Sequence, residues 1–443
     1  MLISLDFDNI FKINNSQFFE DALTHLKPYQ QLINDINSYG LEVADYDDEL
    51  AARKMTLIDS LKQKGAEFRN NNKSIYINYL SKACWECRKG DKSITYFYSL
   101  ACNRDCYFCS NKNQENYNYY VHNQSDVITE LNQIKNPETL KAVAVTGGEP
   151  LLDTEKLFHI LSSVNNKCSM AHTRLYTNGD LIDYNILENL QRNNLDEIRF
   201  SIKPDETGKL EESIIQKIIL AKGYISEVVV EMPVMPGSLN EMKKLLNVLN
   251  ENEITGVNLL EFLFPWVNAD EYKSRGFKIK NKPYEILYSY TYAGGLPISG
   301  SEEECLELLE HGMINDYSIG LHYCSLENKL TSQVYSQNSG VKMLPYEIFS
   351  DKDFFIKTAK VYGEDTKYVK SIFDKSNNTD IFYNFDEELN VLEFNPIHIK
   401  KLPAHTNVAI SYNIVEQQEN QKILKEIKLD LTYPEIFEFE KDI

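Results

Sequence analysis

The 443-residue sequence has few basic residues, prolines and glycines for its length. Its 46 Lys and Arg residues stand against 66 Asp and Glu residues, which gives a formal net charge of −20. A chain of this charge repels phosphate backbones, so we expect no nucleic-acid partner. With 13 Pro, 18 Gly and 42% hydrophobic residues, the composition indicates an ordered globular protein, and we find neither internal repeats nor low-complexity tracts.

The sequence also lacks a long apolar run. The N-terminal stretch MLISLDFDNI has no basic region followed by an apolar one, so it predicts no signal peptide. The apolar run LLEFLFPWV is far too short to span a bilayer, so we expect no membrane partner and a cytoplasmic location. In that compartment, clustered cysteines are typical of metal ligands or redox groups rather than of structural disulfides.

Three of the eight cysteines lie close together without a fourth nearby. Cys102, Cys106 and Cys109 form a CxxxCxxC pattern directly after the strand pattern SITYFYSLA (93–101). Three thiolates make a poor structural zinc site, which needs four ligands. They suit a [4Fe–4S] cluster that keeps one iron open for a small molecule. The end of a strand is also where barrel enzymes carry their chemistry.

This pattern resembles the motif of the radical S-adenosylmethionine (SAM) superfamily. Phe108, directly before the last cysteine, stands where that family has an aromatic residue beside the adenine of SAM. The resemblance implies that the three cysteines hold a [4Fe–4S] cluster whose open iron binds the amino and carboxylate groups of SAM.

A second motif strengthens the resemblance. The stretch KAVAVTGGEP (141–150) reads as a buried strand that ends in a glycine turn, where two glycines let the backbone approach a ligand closely. Its last four residues match the family motif that holds the methionine amino group of SAM, and they are Gly147, Gly148, Glu149 and Pro150.

Strand and helix patterns alternate after the cysteines. Six strand patterns between residues 93 and 266 are separated by helical ones such as 155–164, 183–192, 211–223 and 240–252. This alternation predicts an α/β fold with a parallel sheet and right-handed crossovers. Six units indicate a partial (β/α)6 TIM-like barrel, which is also the fold that the resemblance implies.

The chain divides into three predicted parts. Residues 1–80 read as a helical N-terminal extension, with an amphipathic pattern at 48–65, and residues 81–330 as the partial barrel. Residues 335–443 read as a small α+β C-terminal domain with strand patterns and no cysteine.

The later strand ends supply weaker candidates for SAM binding. The resemblance places residues near the ribose, the carboxylate or a hydroxyl of SAM, namely Thr177, Asn178, Ser201, Lys203 and Glu261, and the turn PVMPG (233–237) near the adenine. For Ser201, Lys203 and Glu261, a polar side chain satisfied at a barrel end is an equally good interpretation.

A second cysteine pair, Cys84 and Cys87, precedes the first barrel strand as CWEC. CxxC is a common half of a four-sulfur site, which Cys324 and Cys305 could complete around zinc, iron or an auxiliary cluster. The alternative is packed thiols. Cys305 in particular lies at apolar helical spacing with Leu308 and Leu309.

These patterns predict a radical SAM enzyme with a [4Fe–4S] cluster and SAM as cofactors. The resemblance implies reductive cleavage of SAM to a 5′-deoxyadenosyl radical, which abstracts hydrogen from a substrate. A peptide or protein substrate is favoured by the extra N- and C-terminal parts. A small metabolite, a partner enzyme that receives a glycyl radical, and a non-catalytic iron–sulfur or zinc scaffold remain alternatives.

An electron donor is also expected. Six basic residues lie between positions 82 and 112 against three acidic ones, in a chain that is otherwise acidic. Such a basic region suits an acidic flavodoxin or ferredoxin, although solvated loop lysines explain it equally well.

Overall fold

The computed structural model describes residues 1–202, 211–288, 294–375, 381–418 and 421–443. The chain forms two compact units. A barrel unit comprises Asn37–Pro283 and Tyr290–Ser332, and a sheet unit comprises Met1–Ile36, Tyr284–Ser289 and Gln333–Ile443. The strands are β1 (Ile3–Ser4), β2 (Glu67–Arg69), β3 (Ser74–Ile77), β4 (Ser93–Phe97), β5 (Ala142–Thr146), β6 (His172–Thr177), β7 (Glu197–Phe200), β8 (Glu227–Val234), β9 (Gly256–Glu261), β10 (Leu263–Phe264), β11 (Leu296–Pro297), β12 (Gly320–Cys324), β13 (Ile348–Phe349), β14 (Ile356–Tyr362), β15 (Tyr383–Asp386), β16 (Val391–Phe394), β17 (Val408–Gln418) and β18 (Gln421–Thr432).

The described helices follow the same chain order. They are α1 (Ser16–Ser38), α2 (Asp48–Lys64), α3 (Lys82–Cys87), α4 (Tyr117–His122), α5 (Val127–Gln133), α6 (Thr154–Lys167), α7 (Tyr184–Arg192), α8 (Glu212–Ala221), α9 (Leu239–Glu251), α10 (Ala269–Ser274), α11 (Ser301–Ile314), α12 (Thr331–Asn338), α13 (Glu364–Lys375) and α14 (Phe439–Asp442). None of them combines the length and apolar character that a membrane crossing requires.

The barrel unit is built on one sheet with the strand order β2-β3-β12-β9-β8-β7-β6-β5-β4. Each neighbouring pair from β4 through β9 to β12 is parallel, and β3 and β2 add antiparallel pairs at the other edge. The prediction of an α/β fold with six parallel strands is confirmed for β4 to β9. The seventh parallel strand, β12, was missed.

Local sequence signals define the helices between these strands. Asp47, Asp153 and Asp183 each cap the helix that follows by accepting backbone N–H bonds in its first turn. Gly65 ends α2 in a left-handed conformation with φ of 90°. Apolar residues at helical spacing then pack these helices onto the sheet.

The two faces of the barrel sheet differ in chemistry. One face buries Leu175, Ile198, Val230, Leu259 and Tyr323 in the main hydrophobic core, together with residues of the surrounding helices. Because successive strand residues point to opposite faces, the residues between them form a second face. This inner face carries His172, Arg174, Glu197, Arg199, Glu231, Asn258 and His322, all of them buried or partly buried.

The sheet unit contains an antiparallel sheet with the order β1-β18-β17-β14-β16-β15, and β13 pairs with β14. The strand patterns expected after residue 335 correspond to β15, β16 and β17. The N-terminus joins the same sheet, since Ile3 pairs with Leu431. Residues 1–80 are therefore divided between the two units rather than forming one separate extension.

Candidate functional site

The loop that carries Cys102, Cys106 and Cys109 is anchored to the end of β6. The guanidinium of Arg104 pairs with Asp180, with 2.7 Å between Nε and Oδ2, and with Glu211 at 2.9 Å. The hydrogen bond from Arg104, together with its charge, lowers the pKa of Asp180. Asn103 adds a bond of 2.7 Å from Nδ2 to the same Asp180 oxygen. Residues 102–109 are thus held in place by charge-assisted bonds to residues far along the chain.

The same loop meets the ends of β5 and β6 through amide side chains. Asn111 donates from Nδ2 to the carbonyl of Gly147 at 2.8 Å. Asn178 donates from Nδ2 to Asn103 Oδ1 at 2.8 Å, and the same nitrogen lies 3.9 Å from the sulfur of Cys102. Three sequence-predicted regions, the cysteine loop, the GGEP turn and the end of β6, therefore meet at one place.

The two glycines of the turn allow two backbone segments to touch. A Cβ atom on Gly148 would lie 1.9 Å from the carbonyl oxygen of Ala101, and one on Gly147 would lie 2.2 Å from that of Ser99. The N–H of Gly148 bonds to Ser99 O at 3.0 Å, and that of Glu149 to Ala101 O at 2.8 Å. The sequence predicted that these glycines let the backbone approach a ligand. In the described structure, they let it approach residues 99–101, directly before the first cysteine.

Glu149 is buried and ties β5 to β6. Its carboxylate accepts from Leu151 N at 3.0 Å, from Thr177 Oγ1 at 2.8 Å and from Asn178 N at 2.7 Å. Burial raises the pKa of Glu149, and these three bonds oppose the rise. The resemblance assigned this carboxylate to the amino group of SAM. Its observed bonds order the turn that receives the cysteine loop.

Aromatic rings continue the site toward β8 and β9. The ring of Phe108 lies 5.0 Å from that of Tyr107 and 5.7 Å from that of Phe262, both edge-on. The hydroxyl of Tyr107 lies 3.8 Å from Met235 Sδ, within the PVMPG turn that was predicted to face the adenine. Phe108 is therefore part of an aromatic cluster at the strand ends.

The donor set of the loop fits an iron–sulfur cluster better than a structural zinc site. Three thiolates can hold a [4Fe–4S] cluster that keeps one iron open, whereas structural zinc needs four ligands. The backbone N–H of Arg104 points at Cys102 Sγ from 3.4 Å, a contact that suits a thiolate ligand.

Comparisons with known proteins agree with this geometry. Residues 96–249 match the model of the Radical SAM superfamily. The chain is 25% identical over 310 residues to a Methanocaldococcus jannaschii protein whose name describes it provisionally as a glycyl-radical enzyme activating enzyme, covering 67% of this chain and 78% of that protein.

These two matches support a radical SAM domain within residues 96–249.

Two solved structures were also found. SuiB of Streptococcus suis, bound to the precursor peptide SuiA, is 13% identical with a TM-score of 0.38, covering 74% of this chain and 67% of that one. Native anSMEcpe with bound AdoMet and Cp18Cys peptide is 18% identical with a TM-score of 0.31 and covers 39% of this chain. The match spans only about half of that protein, 52% of its length.

The weaker predictions for SAM contacts have mixed positions. Thr177 and Asn178 bond to Glu149, and the backbone N–H of Ser201 bonds to Thr177 O at 2.8 Å, so these three lie beside the GGEP turn. Lys203 lies outside the described residues. Pro150 O accepts a bond from the hydroxyl of Tyr98.

Glu261 has partners of its own. It pairs with Lys280 at 2.9 Å, and its other oxygen accepts from Leu326 N at 2.9 Å. This buried ion pair supports the structural interpretation of Glu261 over a contact with a SAM hydroxyl.

The CWEC pair lies on α3, which crosses the inner face of the barrel sheet. Ser81, directly before α3, donates to Glu197 at 2.6 Å. The sulfur of Cys84 accepts from Arg199 Nη2 at 3.1 Å and from Arg174 Nη2 at 3.8 Å. Burial opposes ionisation of Cys84, but the charge of Arg199 outweighs it and, with His322 and Arg174, lowers the pKa to about 5.

Cys324 faces the same region from the end of β12. Asn328 donates from Nδ2 to its sulfur at 3.3 Å. Burial chiefly raises the pKa of Cys324 to about 12, Asn328 opposes the rise, and the neighbouring Cys87 and Cys84 add to it. The three thiols of this second set therefore lie close enough to act on one another electrostatically.

Cys305 lies away from this set. It is fully buried in α11, where its sulfur contacts the carbonyl of Leu260 at 3.8 Å. It belongs to the same hydrophobic core as Tyr323, and Tyr323 points to the sheet face opposite to Cys324. Cys305 therefore matches the alternative interpretation of a packed core thiol, as does the buried Cys168.

The charged residues of the inner face were missed from the sequence. Arg174, Glu197 and Arg199 lie in strands that read as buried, HTRLYT and EIRF, and they are the polar members of an alternating pattern. Charged residues at every second position of a parallel strand were the sequence signal that could have identified them.

Six basic residues between positions 82 and 112 were expected to receive an electron donor. Two of them are ion-paired: Arg104 with Glu211, and Lys112 with Asp105 at 2.5 Å.

Proposed function

We propose that this protein is a radical SAM enzyme that acts on a peptide or protein. The observation that carries the proposal is the anchoring of the Cys102, Cys106 and Cys109 loop against the GGEP turn and the end of β6. The relative from Methanocaldococcus jannaschii supports a protein substrate, because its name refers to activation of another enzyme.

In this proposal the three cysteines hold a [4Fe–4S] cluster with one iron open to SAM. When bound, the cluster supplies the electron for reductive cleavage of SAM into methionine and a 5′-deoxyadenosyl radical. Arg104 and Asp180 hold the cysteine loop, and Glu149 holds the turn beneath it. Phe108 and its aromatic neighbours cover one side of the site and limit the access of water.

The first experiment is anaerobic reconstitution followed by reduction in the presence of SAM. We expect formation of 5′-deoxyadenosine, with loss of this product in Cys106→Ala. Cys168→Ala is the matched control, because Cys168 is buried elsewhere in the core. A reconstituted protein with a full complement of iron but no 5′-deoxyadenosine would contradict the proposal.

The substrate class is tested separately with deuterated candidates. Peptides or proteins encoded near the gene, prepared with deuterium, should transfer deuterium to 5′-deoxyadenosine. A glycyl radical detected by electron paramagnetic resonance in a partner enzyme would identify the activating role that the relative's name suggests. Deuterium transfer only from small metabolites would refute the macromolecular substrate and leave the radical SAM chemistry standing.

A further inference from the structure

We infer that Cys84 and Cys87 form a reversible redox pair, whose two thiols are converted into a disulfide by a low-molecular-weight disulfide. Both cysteines lie in α3, three positions apart. Cys84 is partly buried and Cys87 is exposed, so a small molecule can reach the pair. The inference does not rest on the proposed function, because it concerns residues outside the cysteine loop.

The helix brings the two cysteines to a separation that suits a disulfide. In an α-helix, residues three positions apart have Cα atoms about 5 Å from each other, as follows from a rise of about 1.5 Å per residue and a radius of about 2.3 Å. Disulfides join cysteines whose Cα atoms lie about 4.4–6.8 Å apart. The pair can therefore close within one turn of α3.

α3 is held at both ends, which keeps the pair in this geometry. Ser81, directly before the helix, donates to Glu197 Oε2 at 2.6 Å. Arg69 donates from Nη1 to the carbonyl of Cys84 at 3.3 Å and from Nη2 to that of Trp85 at 3.4 Å. The guanidinium of Arg69 also lies 4.6 Å from the centroid of the Trp85 ring. The two carbonyl bonds satisfy acceptors that a helix leaves open at its C-terminal end.

Two guanidinium groups make Cys84 the reactive member of the pair. Arg199 donates from Nη2 to its sulfur at 3.1 Å, and Arg174 Nη2 lies 3.8 Å from the same sulfur. Glu197 pairs with Nε of both arginines, at 2.5 Å for Arg199 and 3.1 Å for Arg174, and so holds them in place. Such cations stabilise a thiolate, and the thiolate is the form of cysteine that attacks a disulfide.

The reaction consumes one small disulfide and releases two small thiols. The Cys84 thiolate attacks one sulfur of the small disulfide, so a mixed disulfide forms and the first small thiolate leaves. Cys87 then loses its proton to solvent, and its thiolate attacks the sulfur of Cys84 and expels the second small thiolate. Both small thiolates take up protons from solvent. The dithiol loses two electrons in total, and the small disulfide gains them.

The test treats the anaerobic full chain with glutathione disulfide, then unfolds it, alkylates the remaining thiols and digests it with trypsin. Trypsin releases residues 83–88 as one peptide, which contains both thiols of the pair and no other cysteine. We expect this peptide without alkyl groups and lighter by two hydrogen atoms than the reduced peptide. Reduced glutathione should restore the alkylation of both thiols. The peptide of residues 168–174, with the buried Cys168, is the internal control and should stay alkylated.

Two single variants test which thiol reacts first. In Cys87→Ser, Cys84 should retain the mixed disulfide with glutathione, because the second thiol is missing. In Cys84→Ser, Cys87 should form its mixed disulfide severalfold more slowly, because the bonds from the arginines are made to Cys84. Equal rates in the two variants would refute the role of the arginines.

Three further outcomes would overturn the inference. A peptide of residues 83–88 that stays fully alkylated shows that the pair does not close. A cross-link between this peptide and the one that carries Cys324 shows that the pair has a different disulfide partner. Metal that is bound to the wild-type protein and lost from Cys84→Ser, with folding confirmed by circular dichroism, shows that the pair is a metal site.

Discussion

Glu149→Ala should destabilise the barrel unit even when SAM is absent. Glu149 accepts three hydrogen bonds, and two of them come from backbone N–H groups, those of Leu151 and Asn178. Alanine offers no acceptor, so both N–H groups lose their partner next to a buried methyl group. A loss of stability without SAM would show a role of Glu149 that is separate from the contact with the SAM amino group implied by the family resemblance.

The expected loss follows from these bonds. An unsatisfied buried donor costs about 1–3 kcal/mol, and the relief of burying a carboxylate offsets part of this cost. We therefore expect a loss of about 3 kcal/mol in the free energy of unfolding. For a unit of this size, that loss lowers the melting temperature by about 5 °C.

The assay is thermal unfolding of the cluster-loaded protein under anaerobic conditions without SAM. Glu138→Ala is the matched control, because Glu138 is exposed and should change the melting temperature by less than about 2 °C. Glu149→Gln retains one carbonyl oxygen as acceptor and should give an intermediate loss. The structural role is refuted if, without SAM, Glu149→Ala has the same melting temperature as the wild-type protein and only the stabilisation by SAM is lost.

Three further changes follow from the same geometry. Gly148→Ala should keep the cysteine loop from packing against the GGEP turn, because its Cβ would lie 1.9 Å from Ala101 O. Iron analysis should then show loss of the SAM cluster, and a full iron content would contradict this reasoning. Asp180→Asn should speed the removal of iron by a chelator severalfold, because Arg104 keeps only Glu211 as a charged partner. An unchanged rate would exclude an anchoring role of Asp180. Burial opposes ionisation of Glu302, but Lys280 and Lys54 outweigh it and lower its pKa to about 2. The ion pair of Glu302 therefore contributes fully to stability above the ordinary pKa of 4.5, and this contribution is lost as pH falls from there toward about 2. In Glu302→Gln, the free energy of unfolding should depend less on pH in this window than in the wild-type protein. An identical pH dependence in the two proteins would refute the role of the ion pair.

Most of the barrel could be predicted from sequence because its signals are local. The strands β5, β8 and β9 carry apolar runs, and the helices between the strands have apolar residues every three to four positions. The helices α6 and α7 also begin at capping aspartates. The strand β12 was missed because it is only five residues long, GLHYC, and this stretch was interpreted as a possible metal ligand and not as a strand. The strand β1 has only two residues, and its partner β18 lies at the other end of the chain.

The candidate site was predictable where chemistry depends on spacing within one loop. The residues of the CxxxCxxC and GGEP motifs can be identified from a few consecutive positions, without information from other parts of the chain. The bonds of Glu149 were not predictable, because two of its donors come from Thr177 and Asn178, on a later strand. Choosing between Cys305 and Cys324 likewise required the face of the sheet on which each one lies, which a helical or strand pattern alone does not give.

The charged residues of the inner face and the CWEC helix form one arrangement. The interior of a closed barrel is normally filled by branched apolar side chains. Here α3 crosses the inner face, and its Cys84 requires hydrogen-bond donors where valine or isoleucine would offer none. Arg174 and Arg199 supply those donors, and Glu197 compensates their charge while binding Ser81 ahead of α3. Buried ion pairs of this kind contribute little net stability, so their presence on β6 and β7 is better explained by what they do for the sulfur they contact.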